Sequence, residues 1–513
     1  MLDLGRTFLQ SVERSPRATA IVDGAVRMDY AAWYERIAAV AGGLHSLGLS
    51  RGDHLLVVLQ NRWEMATLHW ACQFLGVIVT PLNWRAKPEE VDYCAVDADA
   101  KAVAYEAASA AAVMASRACA GLPRIGIGAS VEGASLSFES LLAGTPPEPM
   151  LNAGPEDISL MLYTSGTTGK PKGVPRRHRA ERAAALAHVA QNLYRVGECT
   201  LGVMPLYHTM GVRSLLAMAL IDGCLVCQPR FDAGGALDLI QAHGVTHLYL
   251  VPTLYHDLLA HPSFTPARVK TVTKLGFAGA PMHDALLARL TGAFTPELFV
   301  NHYGSSEIYT FSIAQDARRK PGCAGRAGIN ARIRVVKLDP QDRKSGPGDL
   351  AAPMEEGQVI AELAGDEAFE GYWNRPDADA RALREGWYFT GDTGYMDADG
   401  ELFVTGRVDD MIISGGENIS PVDIESVLSL HAAVDEVAVA GLPDERWGQK
   451  VVAFVKPRAG QSPDAALLDA HCRGSDLMSF KRPREYVFVR AIPKSPVGKI
   501  LRRLLVAGEY EKL

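Results

Sequence analysis

The chain has 513 residues, too many for one hydrophobic core, so two or more domains are expected. Hydrophobic residues make up 48% and charged residues 22%, an ordinary globular balance, and the net charge of -7 argues against general affinity for nucleic acid. No uncharged run approaches the length of a membrane span, and the N-terminal "MLDLGRTFLQSVERSP" carries acids rather than a long apolar run, so a cytoplasmic protein with no membrane partner is expected.

In chain order, residues 30–50 place apolar side chains at helical spacing, and "RGDHLLVVLQN" then reads as a turn and a strand. "EMATLHWACQFLGVIVTPLN" and "VDYCAVDADAKAVAYE" repeat helix then strand. The alternation returns at "ALDLIQAHGVTHLYLVP" and "VKTVTKLGFAGAP", which predicts an α/β fold with two mostly parallel sheets. After about residue 322 short strand-like runs are separated by Gly, Pro and Asp, and a small antiparallel β-barrel is expected at about 323–407. From "GRVDDMI" onward a fresh mixed pattern predicts a small α+β C-terminal domain, giving domains 1–407 and 408–513. Of eight cysteines only Cys224 and Cys227 form a CxxC, with no second pair or histidines at ligand spacing. That pair reads as part of a buried strand, and reduced thiols fit a cytoplasmic compartment.

The stretch Met161–Val174, "MLYTSGTTGKPKGV", concentrates glycines, hydroxyls and lysines in the manner of a phosphate cradle. It is not a nucleotide-hydrolase P-loop. Gly166 and Gly169 are too close for that spacing, and Lys170 is followed by Pro171 rather than Ser or Thr. Glycines allow close backbone approach to a ligand, while hydroxyls and lysines meet phosphate oxygens.

"YTSGTTGKPKGV", "FAGAP" (Phe277–Pro281), "YGSSE" (Tyr303–Glu307), "GWYFTGD" (Gly386–Asp392), "GRVDDMIISGGENISP" (Gly406–Pro421) and "PKSPVGKILRR" (Pro493–Arg503) together resemble, in order, the signature motifs of the adenylate-forming enzymes. This superfamily comprises acyl-CoA synthetases, luciferases and peptide-synthetase adenylation domains. "MPLYHTMG", "LPDERWGQ" and "FKRPREY" are most similar to aryl-CoA ligases such as 4-chlorobenzoate:CoA ligase. The resemblance implies a large N-terminal domain, a small mobile C-terminal domain, and a two-step reaction with ATP, Mg2+ and coenzyme A. A carboxylic acid is converted to its acyl-adenylate, and a thiol then displaces AMP.

Residue roles follow from the resemblance alone. Thr164, Ser165, Gly166, Thr167, Thr168, Gly169, Lys170 and Lys172 would hold the departing phosphates. Gly279, Ala280 and Pro281 would lie along the adenine, and Tyr303 would stack on it, within the segment Tyr303, Gly304, Ser305 and Ser306. Ser306, where the family usually has Thr, would donate to the α-phosphate, and Glu307 would hold Mg2+. Asp392 would take the ribose hydroxyls and Arg407 would reach the nucleotide. A lysine beside two arginines is ordinarily a solvated patch, but the "PKSPVGK" context makes Lys499 the cation between carboxylate and α-phosphate. Asp409 matches the hinge, Gly415 and Gly416 the pantetheine path, and Trp447, Phe480 and Arg482 the CoA nucleotide contacts.

His208 matches a gating histidine, and Thr209, Met210, Ile308 and Tyr309 are expected to line an acyl pocket with no cation for a second carboxylate. A small aromatic or heteroaromatic acid, benzoate- or furoate-like, fits such a pocket. A ligase for medium-chain or alicyclic fatty acids is the alternative, and an enzyme loading a carrier protein is another. A homodimer is left open.

Overall fold

The computed structural model describes residues 2–146, 151–164, 171–339, 344–415, 417–494 and 500–513, with Asn418 described by its backbone alone. Strand His54–Val58 lies between Ile78–Pro81 and Ala100–Glu106, paired in parallel with both. Each of the three follows a helix, as the alternating pattern predicts. They are buried along nearly their whole length, which is why they read as continuous apolar runs rather than alternating ones. At the edge of this seven-stranded sheet, Ile158–Thr164 and Lys172–Arg177 form an antiparallel hairpin with Thr164 opposite Lys172. The glycine-rich stretch therefore connects two paired strands, and its residues 165–170 lie outside the described residues.

A second sheet starts from parallel strands in the order Leu298–Tyr303, Lys274–Phe277, His247–Leu250, Cys199–Gly202, Cys224–Cys227 and Thr19–Asp23. Beyond Leu298–Tyr303 the pairing turns antiparallel through Ser312–Ala314, Cys323–Ala327, Leu402–Arg407, Trp387–Met396, Gly357–Glu362 and Ile333–Lys337. The switch comes at Ser312–Ala314, shortly before the change of composition after residue 322, and the antiparallel strands continue the second sheet. Cys227 is buried on its strand, where burial pushes the thiol up. Helices Tyr30–Ser46, Trp63–Leu75 and Thr209–Leu220 fill the space between the sheets. Trp33, Trp70, Phe74 and Leu215 join Leu55 and Val57 of the first sheet to Ile21 and Leu225 of the second in one core. Each such side chain contributes about 1.5–3 kcal/mol by leaving water.

The chain leaves the second sheet at Arg407, passes through the short turn Val408–Asp410, and builds a five-stranded sheet. Its long hairpin, Val434–Asp444 with Gly448–Pro457, packs against helices Pro421–Ser429 and Ala465–Arg473. Ile424, Leu428, Val439, Val451 and Leu468 form a core separate from that of the larger body. Among the described residues no helix is long and apolar enough to cross a membrane.

Candidate active site

A cavity of about 2050 Å³ opens between the C-terminal ends of the second sheet's parallel strands and the C-terminal segment. Loops following strands of the parallel sheet line it, the usual place for a ligand in an open α/β sheet.

At one end Tyr303, the last residue of its strand, donates its hydroxyl to Asp392 Oδ2 at 2.5 Å. The other oxygen, Oδ1, accepts from Arg407 Nη1 at 2.7 Å. Asp392 and Arg407 sit directly opposite each other on antiparallel strands, so the sheet register itself places this pair. Burial alone would lower the Arg407 guanidinium, but the Asp392 carboxylate outweighs it and the pKa is raised. Gly391, at φ 75°, keeps this corner open, because a Cβ there would lie 3.0 Å from Arg407 Nη2. Gly279, Ala280 and Pro281 line the cavity as expected, with Gly279 at φ 81°.

After Tyr303 the chain makes a tight turn. Ser305 N donates to Ile308 O at 2.9 Å, and a Cβ on Gly304 would stand 2.1 Å from Tyr309 O, so only glycine fits. The turn sends Ser306 and Glu307 to the cavity wall. The Ser306 hydroxyl makes no hydrogen bond among the described residues. Glu307 is buried, its Oε1 accepts from the Tyr372 hydroxyl at 2.6 Å, and its carbonyl accepts from Arg176 Nη1 at 2.9 Å. Lys172 Nζ rests 4.1 Å from the centre of the Tyr372 ring, its pKa lowered by burial and partly restored by Glu307. Magnesium held by nucleotide phosphates asks for one or two protein carboxylates. Glu307, at the wall with Thr164 and Lys172, fits that need. The acidic trio Asp397, Asp399 and Glu401 does not line the cavity, and Lys320 already reaches all three at 2.6–2.9 Å.

At the other end His208 caps helix Thr209–Leu220, its Nδ1 accepting from Met210 N at 3.3 Å. With Nδ1 accepting, the ring proton sits on Nε2. Burial, with the nearby Arg213 charge, lowers its pKa to about 4, so the imidazole is neutral near pH 7. Thr209, Met210 and Tyr309 line the cavity as expected. Two expectations need correction. Ile308 does not line the cavity: the turn carries its side chain into a core with Val174, Phe311 and Phe369. This end also holds a cation, Arg213, against the expectation of none, and sequence reading did not single it out. Tyr372, which positions Glu307, was also missed.

Of the expected CoA residues, the described ones, Gly415, Trp447, Phe480 and Arg482, do not line this cavity. Trp447 is half-buried, with Arg484 4.1 Å and Arg446 4.8 Å from its ring centre. Gly415 donates its N–H to Trp447 O at 2.9 Å, and a Cβ there would meet Trp447 Cε3 at 2.8 Å. Arg482 is half-exposed, and Phe480 is partly buried against the small domain's core. Asp409 is exposed within the turn joining the two bodies. Gly416, Ser165–Lys170 and Lys499 lie outside the described residues, although Lys494 and Ile500 on either side of Lys499 line the cavity.

Residues 8–373 match the AMP-binding enzyme family and residues 423–499 the AMP-binding enzyme C-terminal domain. The long-chain-fatty-acid–CoA ligase FadD13 of Mycobacterium tuberculosis is 33% identical over 510 residues, covering 98% of each chain. The 4-chlorobenzoate–CoA ligase of an Arthrobacter species is 33% identical over 508 residues, covering 96% of this chain and 93% of its own. The anthranilate CoA ligase AuaEII, solved with anthranoyl-AMP, has a TM-score of 0.90 at 26% identity, covering 99% of this chain and 97% of its own. The chain belongs to the AMP-binding enzyme family. It is an AMP-forming acid–CoA ligase of the acyl/aryl class, which works with ATP, Mg2+ and coenzyme A.

Proposed function

We propose that the enzyme activates a small aromatic or heteroaromatic carboxylic acid, benzoate- or furoate-like. The observation that carries this is the make-up of the acyl end. Tyr249 and Tyr309 line it, with the Arg213 guanidinium 6.0 and 5.3 Å from their ring centres. Flat walls suit a ring. An aromatic ring can offer its face to the nearby guanidinium, a cation–π attraction that methylenes lack.

In this reading a carboxylate is inert to thiols because its charge repels them and oxide leaves poorly, and adenylation removes both obstacles. Tyr303 takes the adenine, Asp392 the ribose hydroxyls with Arg407 beside it, and Ser306 the α-phosphate. Thr164–Lys172 hold the pyrophosphate as it departs. Glu307 would hold Mg2+, which supplies charge neutralisation at the phosphates. Lys499 cancels repulsion between the acid and the α-phosphate and orients the attack. Neutral His208 closes the acyl pocket beside the reacting carboxyl.

The bodies 1–407 and 408–513 then turn about Asp409 and bring the Gly415–Trp447 face to the thioester step. Arg446 and Arg484 beside Trp447 suit a nucleotide of CoA better than a carrier protein's bare pantetheine arm. Eight free cysteines suit a reducing, cytoplasmic setting. A pyrophosphate-release screen with benzoate, 2-furoate and octanoate tests the substrate, with the ring acids expected to lead. Octanoate leading would overturn the reading, and failure of thioester formation to saturate with CoA would favour carrier loading.

A further inference from the structure

The acyl end of the cavity carries a charge that, among the described residues, no carboxylate pairs. Arg213 is 2% exposed, on a helix whose residues from Met210 to Ala219 are all buried. Among the described residues its guanidinium makes one hydrogen bond, a long one from Nη1 to the Tyr249 hydroxyl at 3.4 Å. It has no carboxylate within ion-pair distance, and its Nε is closed off without a partner. The other buried arginine here, Arg176, differs in having an anion beside it, although its own Nη2 is closed off without a partner among the described residues. It pairs with Glu181 at 2.8 Å and donates to the carbonyls of Glu307 and Glu367. The acid that senses Arg213, Glu367, is not on the cavity wall. Its Oε1 is taken by the Asn330 amide, and burial pushes its carboxyl up against the pull of Arg213.

A buried guanidinium without an anion is costly, and proteins keep such groups where a ligand completes them. We propose that Arg213 receives a second carboxylate on the acyl substrate, so that the preferred acids are ring-bearing dicarboxylic acids. One carboxyl lies at the α-phosphate and the other at Arg213. The proposal rests on the reading of this end as the acyl pocket. With Nε closed off, the guanidinium offers the carboxylate the N–H groups of Nη1 and Nη2. The Tyr249 oxygen accepts from Nη1, which leaves the phenolic O–H to donate to the same anion. Tyr309, on the other side, has its hydroxyl committed to Glu181 at 3.1 Å and serves as a flat wall. The histidines nearby add no competing charge, because burial holds His208, His188 and His302 neutral near pH 7.

The test compares diacids with their own monomethyl esters, which keep the ring and the reacting carboxyl and remove only the second charge. Benzene-1,3- and benzene-1,4-dicarboxylate and their monomethyl esters are assayed by pyrophosphate release with the full chain, alongside benzoate and octanoate. At least one diacid is expected to exceed its ester at least tenfold in kcat/KM. Arg213→Met is expected to cut that ratio at least tenfold, chiefly through KM, and Arg213→Lys to restore part of it. Esters equal to or better than their diacids in the unaltered enzyme would overturn the proposal, whether or not the variants fold. So would an Arg213→Met variant that lowers diacid and ester alike. Turnover of benzoate with both diacids inert would sink this proposal alone. Turnover of octanoate with every ring acid inert would sink the aromatic reading as well.

Discussion

The Asp392 carboxylate lies across two antiparallel strands from Arg407, with Oδ1 2.7 Å from Nη1, while its Oδ2 holds the Tyr303 hydroxyl at 2.5 Å. One side chain thus joins a cation and an aromatic ring that come from different strands. Asp392→Asn keeps the shape and removes the charge. Losing a hydrogen bond to a charged group costs about 1.5–3 kcal/mol, or roughly ten- to a hundredfold in kcat/KM for ATP. The loss is expected in pyrophosphate release with ATP varied, and an unchanged KM for ATP would refute the ribose-side placement.

Tyr372 holds Glu307 by a 2.6 Å hydrogen bond and supports Lys172 on its ring. Tyr372→Phe removes the hydroxyl and keeps the ring. Glu307 then loses about 0.5–1.5 kcal/mol of positioning. The concentration of Mg2+ for half-maximal activity is expected to rise severalfold, with the KM for the acid little changed. The same Mg2+ dependence in both enzymes would show that Glu307 is not the metal's carboxylate.

Several buried histidines set the acid limit of stability. Burial lowers His54, His178 and His208 to about 4 and His69 to about 3. Their unfolded pKa is about 6.5. At pH 5 the unfolded chain therefore binds roughly three and a half more protons on these four rings than the folded chain does, and stability rises with pH wherever the unfolded state binds more. Stability is expected to be fully present above about pH 6.5 and to fall as pH drops toward 4. Urea unfolding at pH 7.0, 6.0 and 5.0 measures this, and a flat midpoint across that window would contradict the neutral burial of these rings. Because His208 stays neutral, pyrophosphate release between pH 6 and 8 should show no step from it.

Much of this was legible in the sequence for a physical reason. Parallel strands buried on both faces read as apolar runs, and they are found where the runs fall, as at His54–Val58 and His247–Leu250. Tyr303, Asp392 and Arg407 were legible because their motifs carry them, although they meet only through the sheet register. Ile308 was misread because adjacency to Glu307 says nothing about direction, and a turn reverses the side chain. Arg213 was invisible because helical periodicity reports which face is buried, not what charge that face carries. Tyr372 stands 65 positions from Glu307, and only the folded chain shows that they touch.

Lys499 is predicted to act in the first half-reaction alone. A cation aimed at charge that develops in the transition state is worth about 10²–10³ in rate. Lys499→Ala is expected to lose that much in pyrophosphate release, while thioester formation from supplied acyl-adenylate stays within about twofold. Equal loss of both steps would remove the lysine from the adenylation role.

Gly415 and Trp447 carry the complementary prediction for the second half-reaction. Gly415 sits at φ 63°, and a Cβ there would meet the Trp447 ring at 2.8 Å. Gly415→Ala must therefore strain the backbone or displace the ring from between Arg446 and Arg484. Neither residue lines the cavity that holds Asp392 and Glu307. The KM for CoA is expected to rise about tenfold, the size of effect that losing one aromatic contact of about 0.5–1.5 kcal/mol and some backbone strain would produce together. Pyrophosphate release in single turnover should remain near the unaltered value. Trp447→Ala should raise the KM for CoA to a similar degree, and the double variant should be no worse than the more damaged single one, because both changes act through the same ring. Additive losses would mean that Gly415 serves CoA on its own rather than by seating Trp447.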